Sequence, residues 1–177
     1  LEPTNEAYAI AKIAGIKMCE NYNKQYKRNY FSVMPTNLYG LNDNYDLSNS
    51  HVLPALLYKA HQAKLNNDSE MTVWGSGKVK REFLFVDDLA DAIYFLLRKK
   101  TKHNVINVGS GEEVTIKNLS KLIASVTGYK GKIIFNRNYP DGTPRKIVDT
   151  SILTKMGWKH KTKLRDGLIK VYQSYMN

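Results

Sequence analysis

Tyr8 and Lys12 stand four residues apart in Glu6-Ala-Tyr-Ala-Ile-Ala-Lys12. On a helix this spacing sends both side chains out of one face. A phenol beside an ammonium can act as a general acid, because the cation favours phenolate and draws the tyrosine pKa down from about 10. Such a phenol could give its proton to a carbonyl oxygen while the attached carbon is reduced. The spacing alone also arises by chance on any lysine-rich helix, so other residues must decide.

His51 closes an Asn- and Ser-rich loop just where a helix is expected to begin. It reads either as an acid/base working near neutral pH or as a polar helix-start residue facing solvent. His61, His103 and His160 are isolated, and no histidine pair has metal-ligand spacing. Cys19, two helical turns after Lys12, reads as a small core-facing residue rather than a reactive thiol. No metal site is expected.

Trp74-Gly-Ser-Gly77, followed by Lys78, Lys80 and Arg81, sets an aromatic surface, backbone amides and three cations close together. That combination can stack a base or sugar and hold a diphosphate. A glycine turn with a solvated basic rim is the plainer alternative. Pro140-Asp-Gly-Thr-Pro-Arg-Lys146 is similar in kind: its acidic, hydroxyl and basic groups could grip a ribose or phosphate from a stiff loop.

The elements that must position these groups alternate between strand and helix. Helices are expected over Glu6 to about Lys27, with Ile10, Ile13, Ala14 and Met18 as its buried stripe, and over Val52 to Lys64. Others follow from Asp87 or Asp88, as cap, to Arg98, over Thr115 to Val126 with Gly128 beyond, and over Leu164 to Tyr175. Strands are expected at 30–34, 71–74, 82–86, 105–108 and 132–135. The pattern predicts an α/β architecture.

The charge balance, 27 Lys and Arg against 16 Asp and Glu, favours anionic partners. The cations are scattered rather than blocked, which argues against a nucleic-acid arm. No apolar run is long enough to cross a membrane, and a single cysteine fits a reducing cytoplasm. No Gly-x-x-Gly-x-x-Gly or Gly-x-Gly-x-x-Gly fingerprint occurs in the 177 residues. If the protein binds a dinucleotide, the phosphate-binding half is expected to precede Leu1, leaving this piece inactive by itself.

Glu2-Pro-Thr-Asn-Glu-Ala-Tyr-Ala-Ile-Ala-Lys12, Met34-Pro-Thr-Asn-Leu-Tyr-Gly40, Ser48-Asn-Ser-His-Val52 and Trp74-Gly-Ser-Gly77 occur in that order. Arg81-Glu-Phe-Leu-Phe-Val-Asp-Asp88, Asn107-Val-Gly109 and Pro140-Asp-Gly-Thr-Pro-Arg-Lys146 complete the series. Together they resemble the fucose-synthase group of the extended short-chain dehydrogenase/reductase family across nearly the whole chain. The resemblance implies the C-terminal part of a Rossmann-like NAD(P)-binding fold, within residues 1–50. It assigns 51–177 mainly to a smaller α/β domain for a nucleotide sugar, with some segments returning to the first.

The implied activity is NADP-dependent 3,5-epimerisation and 4-reduction of GDP-4-keto-6-deoxy-mannose. Tyr8 would donate the proton, with Lys12 holding the phenol and the nicotinamide ribose. Pro35, Thr36, Asn37, Leu38 and His51 would border NADP(H), and His51 would also serve epimerisation. Lys59, Trp74, Arg81, Asp141 and Lys146 would contact the GDP-sugar. The family's catalytic Ser and Cys would precede Leu1, and a homodimer is implied. Lys59 stands where the family often has arginine, and Phe85 where it often has histidine. These departures leave open a GDP-linked keto-heptose, a single retained activity, or a binding module without catalysis.

Overall fold

The computed structural model describes residue 1 and residues 5–177; Glu2, Pro3 and Thr4, which open the first motif, lie outside the described residues. Helix α1, Glu6–Tyr26, is built from strong helix formers and stops where Lys27 turns left-handed at φ 54°. The Asn23 side chain then pairs twice with the Tyr30 backbone, accepting from its N–H and donating to its C=O, both at 2.7 Å. That pairing folds the chain back into β1, Ser32–Pro35.

The expected buried stripe on α1 is a correction. Ile10, Ile13, Ala14 and Met18 are all exposed, and α1 contributes no buried residue. The spacing does create an apolar face, but no other described residue packs onto it closely enough to bury it. Cys19, on the same helix, is partly exposed rather than in the core.

After β1 come β2 (Asn37–Tyr39), α2 (Val52–Leu65), β3 (Glu70–Trp74), β4 (Lys80–Phe85) and α3 (Val86–Leu97). The chain continues through β5 (Val105–Val108), β6 (Glu113–Thr115), α4 (Ile116–Thr127), β7 (Lys132–Asn136), β8 (Arg145–Lys146), α5 (Ser151–Lys155) and α6 (Leu164–Met176). This is the expected α/β class. The elements not foreseen, β2, β6, β8 and α5, are two to five residues long, too short to carry a period.

β1 pairs in parallel with β5, Ser32 opposite Val105, and β3 pairs in parallel with β7. β4 lies centrally in a third sheet, parallel to β2 and β8 and antiparallel to β6. The chain changes sheets at Thr36. Its N–H donates to Val108 beside β1, whereas its hydroxyl and the Asn37 side-chain amide both donate to the Glu82 carbonyl in β4.

Two hydrophobic clusters result. One gathers Leu57, Leu119, Ile123 and Leu168 from α2, α4 and α6; the other gathers Leu96, Ile106, Val108 and Trp158 around α3 and β5. β4 serves both. Successive strand residues point to opposite faces, so Phe83 and Phe85 enter the first cluster and Leu84 the second. A strand buried on both sides reads as an unbroken apolar run, and Phe83-Leu-Phe85 is one.

The cap of α3 also differs from expectation. Phe85 occupies that position, while Asp87 and Asp88 lie in the first turn, where carboxylates still favour the positive helix end. Asp88 is buried because it works elsewhere, accepting from the backbone N–H groups of Lys161 and Thr162. Thr115 does cap α4, accepting from Asn118 N–H at 3.1 Å, and Gly128 ends it at φ 79°.

α6 approaches β2 so closely that a methyl on Gly167 would collide with the buried Tyr39 hydroxyl. Burial first, then the charges of Asp88 and Asp166, keep that phenol protonated well above its ordinary range. Gly167→Ala should therefore lower stability by about 1–3 kcal/mol through overpacking. Its urea midpoint will show this; an unchanged midpoint would disprove the close approach.

Candidate active site

The C-terminal ends of β1 and β2, the start of α2 and one edge of β4 surround a cavity of about 700 Å³. Tyr8 reaches its rim from the first turns of α1. Lys12, one turn on, does not line it, but its ammonium sits 5.3 Å from the Tyr8 ring centroid. The four-residue spacing thus does bring the two groups together, as a cation over the ring.

Pro35, Thr36, Asn37 and Leu38 line the same cavity. Their place follows from the change of sheets at Thr36, which leaves this segment between two separate ladders. Such a switch point is where open α/β folds leave a crevice. His51 lines the cavity as the residue before α2, exposed and without a side-chain capping bond. Both sequence readings of His51 are therefore satisfied: it starts the helix, and it faces the cleft.

Arg81 and Lys146 reach this cavity side by side, because β4 and β8 pair with Arg81 opposite Lys146. The neighbouring pair, Lys80 opposite Arg145, ion-pairs with Glu113 instead. Strand alternation sorts four cations into two structural ones and two cleft ones. Arg81 is further held by donating to the Lys80 and Thr143 carbonyls at 2.8 and 2.6 Å.

A second cavity, about 360 Å³, adjoins the first, sharing Val52 and Arg81 in its walls. Lys59, Trp74 and Asp141 line it. The Trp74 indole is more than half exposed, stacked on Tyr139 with centroids 4.4 Å apart, and the Lys59 ammonium lies 4.7 Å from its centroid. Partial burial pulls the Lys59 pKa below its ordinary value.

The Gly75-Ser-Gly77 turn corrects an expectation. Its amides are not all free to hold a diphosphate, because the Asp141 carboxylate already accepts from the Ser76 N–H at 2.8 Å and the Ser76 hydroxyl at 2.5 Å. These bonds hold the Asp141 pKa below the usual carboxylate range. The two motifs that each looked able to bind phosphate are fastened to one another. Among the described residues, the cations lining the second cavity are Lys59 and Arg81.

Three features escape the motif reading. Leu41, Asn42 and Asp43 line the first cavity, and Leu47 and Ser50 the second, from a loop whose composition shows only that it is polar. Tyr45 of that loop packs on Tyr175 of α6 at 4.5 Å, and Tyr175 on His61 of α2 at 5.1 Å, so aromatic contacts pin it. Glu82 is the third. Fully buried, its carboxylate accepts from Gly111 N–H at 2.7 Å and Val148 N–H at 3.0 Å, while its backbone serves Thr36 and Asn37. A charged residue within an apolar strand was the available signal.

No group of three or more His, Cys, Asp or Glu able to hold a metal occurs among the described residues, and no described helix is long and apolar enough to cross a membrane.

Residues 1–109 match the NAD dependent epimerase/dehydratase family. A putative GDP-L-fucose synthase 2 of Arabidopsis thaliana is 56% identical over 176 residues, covering 99% of this chain and 54% of that protein. Among solved structures, a GDP-L-fucose synthetase of Naegleria fowleri bound to NADP superposes with a TM-score of 0.90 at 26% identity, covering 97% of this chain and 56% of that one. A GDP-mannoheptose C4 reductase of Campylobacter jejuni with NADP bound gives 0.86 at 35% identity, covering 100% and 62%. The chain spans about half the length of the curated relatives it matches. With its α/β fold, its cleft at the change of sheets and this match over most of its length, the chain belongs to the NAD dependent epimerase/dehydratase family.

Proposed function

We propose that this chain supplies the proton-transfer and nucleotide-sugar half of an NADP-dependent enzyme that epimerises and reduces GDP-4-keto-6-deoxy-mannose. The observation that carries the proposal is the continuity of the cleft. Tyr8 and His51 line one cavity, and Arg81 leads from it into a second holding Lys59 and Trp74. A ligand with a reactive sugar at one end and a base at the other, joined by a diphosphate, matches that order of groups.

The residues present fit a nicotinamide cofactor on one side. Pro35 to Leu38 offer a segment fixed by Thr36 and Asn37 to the Glu82 carbonyl, open on the first cavity. NADP(H), when bound, would supply hydride to the sugar C4. A glycine-rich turn for its phosphates does not occur in this sequence. On this reading residues 1–50 belong to the dinucleotide-binding domain and 51–177 mainly to the sugar domain, with β5 returning to pair with β1.

The chemistry of the cast is coherent. A 4-keto group acidifies the protons at C3 and C5, so His51 can remove or return a proton there. The enolate of that stage and the alkoxide of the reduction share one oxygen, to which Tyr8 can donate throughout. Lys12 steadies the Tyr8 ring, while Arg81 and Lys146 face the diphosphate side.

The test uses the protein as its gene encodes it in full. It should oxidise NADPH with GDP-4-keto-6-deoxy-mannose and carry solvent deuterium into C3 and C5, and His51→Ala should slow that exchange at least about tenfold. Undiminished exchange removes His51 from the epimerisation. Turnover of a GDP-linked 4-keto-heptose in preference to the 6-deoxy sugar would instead favour the activity named for the Campylobacter jejuni structure. Absence of NADPH oxidation with either sugar would defeat the proposal.

A further inference from the structure

The second cavity has an aromatic pair at its mouth, of which only one member faces in. Trp74 lines the cavity together with Pro140, Asp141 and Gly142, whereas Tyr139 is not part of the lining. Yet the two rings lie nearly parallel, 11° apart, with centroids at 4.4 Å. Tyr139 therefore covers the indole from outside the cavity. Both rings are substantially exposed, 56% for Trp74 and 43% for Tyr139, so no hydrophobic core dictates this stack.

Tyr139 is itself firmly seated. The loop around it is tied to β3 and β4 by Asp141 on Ser76, by Arg81 donating to the Thr143 carbonyl, and by Lys80 N–H donating to the Pro144 carbonyl. On the other side, its N–H reaches the Asn136 carbonyl at 3.5 Å.

Lys59 also lines the cavity, 4.7 Å from the Trp74 centroid. Its ammonium donates to the Thr72 carbonyl at 3.5 Å and forms no ion pair among the described residues. A half-buried cation that rests on an indole and a carbonyl, with no carboxylate, is poised to exchange that partial partner for an anion.

We propose that Tyr139 is a positioning residue for the nucleobase of a nucleoside diphosphate: it backs Trp74 so that the indole presents a fixed shelf to the cavity, while Lys59 passes from the indole to the ligand's phosphate. This rests on the nucleotide-sugar reading above and adds to it how the base is gripped. The physical gain is preorganisation. An exposed indole left unbacked samples several rotamers and must be ordered when a base stacks on it; a backed one is already in place. Moving the ammonium off the indole clears the face on which the base lies and puts the charge where the diphosphate is.

Calorimetric titration of the full protein with GDP and, separately, with inorganic pyrophosphate tests this. Stacking on an aromatic shelf is large enough that Tyr139→Ala should weaken GDP about tenfold. Pyrophosphate, which has no base, should be held by Tyr139→Ala within about twofold of the parent. Tyr139→Phe keeps the ring and should match the parent for both ligands. Lys59→Met should weaken both.

Unchanged GDP affinity in Tyr139→Ala overturns the role of Tyr139. Equal weakening of GDP and pyrophosphate overturns it too, since that marks a collapsed loop rather than a lost shelf. Unchanged pyrophosphate binding in Lys59→Met overturns the transfer of the ammonium. Failure of the unsubstituted protein to bind GDP would defeat the nucleotide reading itself, a result distinct from any of these.

Discussion

Replacing Tyr8 by Phe should lower the rate of ketone reduction by about a hundredfold or more while leaving GDP binding unchanged. The expected size follows from what a positioned general acid contributes, on the order of 10² to 10⁴ in rate. The substitution removes one oxygen from a side chain at the cavity rim and keeps the ring over which Lys12 sits. Packing cannot account for a loss, because α1 buries no residue and Tyr8 is mostly exposed. Single-turnover oxidation of NADPH with the full protein measures the reduction directly, and titration with GDP gives the control. A Tyr8→Phe protein that reduces the ketone at the parental rate would remove Tyr8 from the chemistry. A protein that loses GDP binding to the same extent would make its role one of binding. Lys12→Met should follow in the same direction, since the ring would lose its cation.

The second large effect is on stability. Glu82→Gln should cost about 2–3 kcal/mol, because each carboxylate oxygen of this fully buried residue accepts from a backbone N–H. An amide can keep one of those bonds; at the other it turns an N–H toward the N–H of Gly111 or Val148. Neither donor has space to seek water, since Gly109 packs so tightly on Glu82 that even a methyl there would collide with the carboxylate. Urea denaturation with an unchanged slope should show a lower midpoint. A loss below about 0.5 kcal/mol, the range of an ordinary surface change, would contradict the clamp. The bonds from Thr36 and Asn37 go to the Glu82 carbonyl, not its side chain, so the segment proposed for the nicotinamide should keep its shape.

Much of the site was legible because its residues sit in compact motifs at element ends. Pro35 to Leu38, His51, Trp74 and Arg81 each border a strand or helix that local pattern identifies, and the cleft joins those ends. What escaped was whatever depends on a distant partner. That Asp141 spends its carboxylate on Ser76, 65 residues away, has no local signature. Nor does the pairing of Tyr45 with Tyr175, which fastens the loop between β2 and α2 to the closing helix. The apolar face of α1 was legible as a face but not in its surroundings, since periodicity says which residues share a side and nothing about what covers them. Asp87 and Asp88 carried a cap-like composition, yet Asp88 is claimed by a stretch of backbone more than seventy residues later. Glu82 was visible within its motif, but its charge takes on meaning only once the turns after β5 and before α5 arrive beside it.

The order of strand pairing carries a consequence for synthesis on the ribosome. Among the described residues, no two paired strands are joined by a tight hairpin; β1 meets β5 with Ser32 opposite Val105, and β3 meets β7 with Glu70 opposite Lys132. At roughly 5–20 residues per second, the interval between Ser32 and its partner lasts on the order of 4–15 s. During that time β1 has an unpaired edge and a side chain, Val33, without its cluster. β4 waits again, for β8, before Arg81 has Lys146 beside it. The nascent chain therefore carries open strand edges for seconds, a state that holding chaperones recognise, and the cleft is among the last parts of the molecule to exist.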